Sequence, residues 1–87
     1  MKKKHQNTLR AIFRKPTTGT LNFKDIESLL KNVGFRKIEG RGSGVKFYHE
    51  ESGFLLALHS PHPQPEAKKW MVDEIRKALV SVGVTPG

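Results

Sequence analysis

The sequence contains no cysteine, and only 8% of its 87 residues are aromatic. Without cysteine, a disulfide framework, a cysteine zinc site and thiol catalysis are all excluded. A small secreted domain without disulfides would be unusual, so we expect a cytoplasmic protein. No apolar run approaches the roughly 18 residues that a membrane-spanning helix needs. No apolar signal core follows the basic residues Lys2 to Lys4.

A chain of this length has room for one domain with one modest core. We therefore expect residues 1–87 to form a single domain, with residues 1–4 as a disordered basic tail.

Acidic residues are scarce and unevenly distributed. Lysine and arginine total 16 against 8 aspartates and glutamates, a formal net charge of +8, and the first acid is Asp25. A field of this sign attracts polyanions and speeds their association. Nucleic acid or an acidic protein is therefore the expected partner. A membrane surface is a weaker match, because no segment is both strongly amphipathic and free to lie flat.

Three segments have apolar residues at helical spacing. The first covers residues 5–13, and Pro16 ends it. The second begins after the N-cap Asn22 and ends at Gly34, which suits the left-handed C-terminal position. The third has Pro65 in its first turn. The apolar stripes are Leu9, Ile12 and Phe13, then Ile26, Leu29, Leu30 and Val33, and finally Met71, Ile75, Ala78, Leu79 and Val82.

Three strand candidates lie between the second and third helices, at residues 35–39, 45–49 and 54–59. Gly53 can take the positive φ of the turn between the last two, which predicts an antiparallel hairpin. The expected fold is α+β, with helices packed on one face of a three-stranded antiparallel sheet. Apart from the extra N-terminal helix, the order α-β-β-β-α is that of a double-stranded-RNA-binding fold.

A glycine-rich segment, Gly40-Arg41-Gly42-Ser43-Gly44, connects the first two strands. Its backbone amides, together with the Arg41 side chain, would cradle a phosphate. A flexible connection between strands is the alternative interpretation. No P-loop lysine follows at the required spacing, so a nucleotide hydrolase is not expected.

Two histidines belong to a proline-rich segment, His59-Ser60-Pro61-His62-Pro63. His59 ends the third strand and, by alternation, points away from the face of Leu56 and Leu58. His62 lies between two prolines, which stiffen the backbone. Two imidazoles beside a basic surface can serve as general base and general acid on an RNA phosphodiester without a metal. The alternative is a structural loop with exposed histidines.

Other chemistry has less support. His59 and His62 have metal-ligand spacing, but two ligands are too few for a structural zinc site and no carboxylate is placed to complete it. No serine–histidine–acid spacing is present. We therefore expect no metal and no small-molecule cofactor. His5 is expected to be solvated in the basic tail, and His49 ends a strand where it would face water.

The last helix begins with two lysines, Lys68 and Lys69, whose charges oppose the helix dipole. They are candidate phosphate contacts, or else part of an ordinary solvated face. Trp70 lies beside the apolar stripe, and three roles are open to it: core edge, stacking platform for a base, or interface anchor.

The order of several short motifs resembles that of the HicA toxins. These motifs are Asp25-Ile26-Glu27-Ser28-Leu29-Leu30 through Gly34-Phe35, Gly42-Ser43 opening a strand, and His59-Ser60-Pro61-His62-Pro63 before a helix that ends Val82-Gly83-Val84. The resemblance covers roughly residues 5 to 86. It is closest to a subgroup with an added N-terminal helix and a histidine–proline-rich loop.

The resemblance implies a double-stranded-RNA-binding-like fold and an mRNA interferase that acts independently of the ribosome. It also implies an acidic HicB antitoxin that binds the toxin and masks its active site. The residues retained around the expected RNA site are Arg41, Gly42, Ser43 and Lys46.

One position departs from the family pattern. Many HicA proteins have a catalytic histidine directly after the Gly-Ser pair, and here that position is Gly44. Either the activity has moved to His59 or His62, or the chain binds RNA or its antitoxin without cutting. Three functions are therefore open: a toxin that cleaves mRNA, a non-catalytic RNA-binding module, and an antitoxin-binding domain. We expect the first.

Overall fold

The structure, a computed structural model, describes residues 1–42 and 44–87. Its elements in chain order are α1 (Lys3–Phe13), α2 (Phe23–Asn32), β1 (Phe35–Glu39), β2 (Gly44–His49), β3 (Phe54–His59) and α3 (Lys69–Ser81). The strands form one antiparallel sheet in the order β1-β2-β3. Helix α2 packs against β1 and α3 against β3, while α1 packs across both helices. The predicted α+β architecture is confirmed.

The two faces of the sheet differ in burial because successive side chains of a strand point to opposite sides. The face beneath the helices, here called the covered face, carries Phe35, Val45, Phe47, His49, Leu56 and Leu58, all buried. The other, here called the open face, carries Arg36, Ile38, Lys46, Tyr48, Leu55, Ala57 and His59, which are exposed apart from the half-buried Tyr48. The core therefore lies between the covered face and the helices.

Helix α2 has the ends that the sequence predicts. The Asn22 Oδ1 accepts a hydrogen bond from the Lys24 amide at 2.9 Å, which caps the first turn. At the other end Gly34 has φ +104°, a conformation that disfavours any side chain. A Cβ at Gly34 would also lie 3.1 Å from Nε2 of His49, so the absence of a side chain lets the helix end approach the sheet closely.

Helix α1 begins at Lys3, two residues before the predicted start, and adds a layer over α2 and α3. Ile12 is fully buried there. The prediction that His5 is solvated is wrong: the ring is buried, and its Nε2 lies 2.9 Å from the Ser28 hydroxyl of α2. Because α1 starts earlier than predicted, Lys4 belongs to the helix, and its Nζ lies 3.3 Å from Asp25 Oδ1 of α2. The same helix holds His5 against α2.

A polar network ties the segment after α1 to α3. The Thr17 hydroxyl donates to Asp73 Oδ1 at 2.7 Å, and Arg76 donates to the same carboxylate at 2.9 Å. Arg76 also donates from Nε to the carbonyl of Ile12 at 3.0 Å, at the C-terminal end of α1. The hydrogen bond from Thr17, followed by the contact with Arg76, holds the pKa of Asp73 below its ordinary value.

The predicted start of the last helix at Pro65 is wrong, because α3 begins only at Lys69. The Pro65 carbonyl accepts from the Phe23 amide at 2.9 Å, and the Ala67 amide donates to the Leu21 carbonyl at 2.8 Å. This antiparallel pairing, centred on a bridge between Asn22 and Glu66, keeps residues 65–67 extended. None of the helices in the described part of the chain is long and apolar enough to cross a bilayer.

Candidate functional site

A cleft of about 380 Å³ opens where β2 begins and β3 ends. Three of the predicted site residues, Arg41, Lys46 and His59, line it together. The rest of its lining is Gly40, Gly44, Val45, Ala57 and Leu58. The cleft thus combines two basic side chains with one imidazole, a set of groups that can hold a phosphate and move a proton beside it.

The register of the hairpin determines what lies beside His59. Gly44 and His59 are direct cross-strand partners. Side chains at such positions share a face of the sheet, with Cβ atoms about 4.5–5.5 Å apart. Because Gly44 has no side chain, His59 is the only imidazole at this pair of positions. A Cβ at Gly44 would meet its nearest described neighbour, the Arg41 carbonyl oxygen, at 3.5 Å, an ordinary contact.

The glycine-rich connection closes a turn beside the cleft. The Gly40 amide donates to the Gly44 carbonyl at 3.0 Å, and the Gly44 amide donates to the Arg41 carbonyl at 3.4 Å. Gly42, at φ +64°, supplies the left-handed residue of this turn. These two amides are occupied within the turn, so they are not free to bind a phosphate. Gly40, Arg41 and Gly44 line the cleft, and Arg41 is the charged one among them. The predicted contact Ser43 lies outside the described residues.

The histidine–proline segment leaves β3 and runs against the start of α2. Ser60, Pro61 and Pro65 line a small hollow with Asn22 and the first turn of that helix. His62, within this segment, is exposed, and it is not among the described residues that line the cleft. Of the two predicted catalytic histidines, only His59 lies with the basic residues.

The two lysines at the start of α3 are exposed, and neither lines the cleft as the structure describes it. The stem of Lys69 instead passes the loop after α1, where a Cβ at Gly19 would lie 3.4 Å from its Cγ. The next residue, Trp70, is 48% exposed. This exposure favours a surface role over the core edge. Lys68, Lys69 and Trp70 thus lie together on the surface at one end of α3.

His49 is buried, at 7% exposure, so the expectation that it faces water is wrong. Its Nε2 lies 3.1 Å from the Val33 carbonyl, which can only accept, so this nitrogen carries the proton. Its Nδ1 then accepts from the Ser52 hydroxyl at 2.8 Å. The ring also meets Phe35 edge-on at 4.9 Å. His49 is a structural residue, and its shared alternation with Phe47 was the sequence signal for burial.

The lysines on the two faces of the sheet have different surroundings. Lys37, on the side of the helices, lies 3.0 Å from Glu27 and 3.1 Å from Glu39. These hydrogen bonds, that to Glu27 first, raise the pKa of Lys37 above its ordinary value. Lys46, on the open face, takes part in none of the ion pairs among the described residues. The charge of Lys46 is therefore available to an anion in the cleft.

The described residues contain no cluster of three histidine, aspartate or glutamate side chains that could hold a metal ion.

A family comparison covers the segment from α2 to α3. The family described as the HicA toxin of bacterial toxin–antitoxin systems matches residues 23–80. The chain belongs to the HicA toxin family. Comparison with curated proteins and with solved structures finds no match. The match includes the whole sheet and the cleft, while α1 lies outside it. In this HicA protein, α1 packs on α2 and α3, on the side of the molecule away from the open face.

Proposed function

We propose that this HicA toxin is an endoribonuclease that binds mRNA and cuts it in the cleft of Arg41, Lys46 and His59. The observation that carries the proposal is the cross-strand pairing of His59 with Gly44. Gly44 stands where the family resemblance leads us to expect a histidine. An imidazole on the neighbouring strand reaches the same side of the sheet at the same level. We infer that His59 has taken over that role.

The proposed reaction is an internal displacement on RNA. The 2′-oxygen attacks the adjacent phosphorus while His59, as general base, accepts the 2′-hydroxyl proton. The bond from phosphorus to the 5′-oxygen breaks, leaving a 2′,3′-cyclic phosphate and a 5′-hydroxyl. The 5′-oxygen takes its proton from an acid, for which His62 is our candidate because it is exposed in the same segment. No metal or other cofactor enters this scheme.

The cations of the cleft have a separate task. Arg41 and Lys46 would bind the phosphate and stabilise the negative charge that builds up on its oxygens as the 2′-oxygen attacks. Lys68 and Lys69 are proposed as contacts to more distant phosphates, together with Gly42 and with Ser43, which lies outside the described residues. Each such contact to a single strand adds to the salt dependence of binding.

The decisive experiment moves the histidine across the sheet. A long single-stranded RNA is incubated in EDTA with each of four proteins. These are wild type, His59→Ala, His62→Ala and the double variant that combines Gly44→His with His59→Ala. We expect His59→Ala to lose cutting and the double variant to regain part of it, because positions 44 and 59 are cross-strand partners and position 44 accepts a Cβ. Unchanged cutting by His59→Ala would refute the assignment.

The histidine variants also test the alternatives. Loss of cutting in His62→Ala, with binding retained, would support His62 as the acid. If wild type binds RNA and yields no product, the chain is a non-catalytic RNA-binding module. His49→Ala is not a suitable control for these variants, because the buried His49 side chain supports the fold.

An acidic HicB-type antitoxin is the proposed protein partner, and the cytoplasm the proposed location. Membership of a toxin–antitoxin family requires an antitoxin, and the net charge of +8 favours an acidic one. Co-expression with the product of an adjacent gene for a small acidic protein tests this. A complex that forms at low salt, weakens as salt rises and suppresses cutting is expected. A partner that binds without suppressing cutting would contradict masking of the cleft.

A further inference from the structure

The open face continues from the cleft as a regular row of cross-strand pairs. The pairs are Gly44 with His59, Lys46 with Ala57, and Tyr48 with Leu55. Each step along β2 covers two residues, or about 6.6–6.8 Å. This rise is comparable to the spacing of nucleotides in an extended single strand. Tyr48 lies two such steps from Gly44, so an RNA strand whose phosphate lies beside His59 would bring the second base along the strand over Tyr48.

The far end of the row has the chemistry of a base-stacking surface. The Arg36 guanidinium lies on the same face, with Cζ 5.9 Å from the centroid of the Tyr48 ring. Leu55 is 50% exposed and Ile38 is 39% exposed on either side. An aromatic ring with a guanidinium and exposed aliphatic groups is the type of surface on which unpaired bases stack.

We infer that the open face binds single-stranded RNA, with a base next to the cleft stacked on Tyr48; this inference rests on the proposed function. The bases of a duplex are already stacked and paired, so they cannot lie flat on a sheet. The ion pair of Arg36 with Glu50, at 2.8 Å, is exposed on both sides and is readily exchanged for a phosphate.

Charge and continuity favour RNA over a protein as the occupant. Lys46 adjoins both the cleft and Tyr48, and its charge is not used in the described ion pairs. Arg36 and Lys46 thus place two positive charges on the open face, along the row of pairs that leads away from the cleft. A polyanion that enters the cleft finds further positive charge along the direction of β2.

The test measures binding without turnover. The full-length His59→Ala protein is titrated with a labelled short single-stranded RNA and with the blunt duplex of the same sequence. We expect tighter binding of the single strand. Adding Tyr48→Leu should weaken single-strand binding by about tenfold, the scale of one base stacked on an aromatic ring, and should leave duplex binding unchanged. Adding Tyr48→Phe instead should preserve binding.

Two results would overturn the inference. One is equal binding of single strand and duplex. The other is single-strand binding that Tyr48→Leu leaves unchanged. If the same substitution also abolished antitoxin binding, the open face would be a binding surface for the antitoxin and not for RNA. Denaturation of each variant checks that the fold is intact. The proposed cutting activity is tested separately, on wild type, and absence of cutting there would refute it. The binding measurement does not depend on that result, because it uses the His59→Ala protein.

Discussion

On the covered face of the sheet His49 is buried and hydrogen-bonded at both ring nitrogens, whereas on the open face His59 is exposed and lines a basic cleft. Both belong to the same hairpin, at opposite ends and on opposite sides. Lys37 and Lys46 show the same contrast, since two carboxylates surround the first and the second takes part in none of the described ion pairs. Residue type alone therefore does not indicate function here.

Alternate residues of these short strands therefore have separate tasks. Side chains on the covered face exclude water and stabilise the fold, so their replacement changes the free energy of unfolding. Side chains on the open face contribute little to that core, so their replacement should affect a bound ligand more than the fold. Substitutions on the two faces should therefore separate stability from RNA binding and cutting.

The largest expected effect is on stability, from Phe47→Ala. Phe47 is fully buried at the centre of the covered face. Its truncation should lower the free energy of unfolding by about 3–5 kcal/mol. Lys46→Ala, the neighbouring residue on the open face, should change it by less than about 0.5 kcal/mol. Urea denaturation followed by circular dichroism measures both, and equal losses would break the distinction between the faces.

The next largest effect on stability is expected from replacing His49, and it should exceed the effect of replacing His59. His49→Ala removes the donor to the partly buried Val33 carbonyl, so the free energy of unfolding should fall by about 1–3 kcal/mol. His59→Ala should have a smaller effect on unfolding and a larger one on cutting. Denaturation and RNA cleavage, run on the same preparations, compare the variants. If the His49→Ala protein were as stable as wild type, the structural role assigned to His49 would be wrong.

The two lysines should differ in their effect on the salt dependence of RNA binding. If Lys46 contacts one phosphate of a single strand, Lys46→Ala should reduce the slope of log affinity against log salt by about 0.7. Lys37→Ala should leave the slope unchanged, because Glu27 and Glu39 already hold that charge. Titrations of the His59→Ala protein at several salt concentrations supply the slopes. An equal change for both lysines would mean that RNA reaches both sides of the sheet.

A smaller effect on stability is expected at Asp73 of α3, one of the helices over the covered face. The pKa of Asp73 is lowered in the folded protein, first by the Thr17 hydroxyl. Its contribution to stability is therefore complete above the ordinary carboxyl pKa of 3.8 and is lost as pH falls through the lower folded value. Asp73→Asn should destabilise the protein at neutral pH and converge with wild type in strong acid. Thermal melts across this range test it, with Glu74→Gln as the matched exposed control.

Much of the fold was predictable because its signals are local. The cap at Asn22, the left-handed Gly34 and the alternation through β2 and β3 all depend on neighbours in sequence. The ordered motifs that resemble HicA were likewise readable, and the match over residues 23–80 confirms the family. These features predicted the three strands, the hairpin of β2 and β3 and the side of the sheet on which His59 lies.

Non-local contacts decided the rest. Pairing with residues 21–23 kept Pro65 out of α3, and packing of α1 on α2 buried His5. The register of β2 with β3 brought His59 opposite Gly44 and beside Lys46, while His62, Lys68 and Lys69 lie outside the described lining of the cleft. The sequence by itself specified the elements and the parity of their side chains, because both follow from backbone periodicity. Only the tertiary structure selected which candidates meet, because that depends on strand register and helix packing between distant parts of the chain.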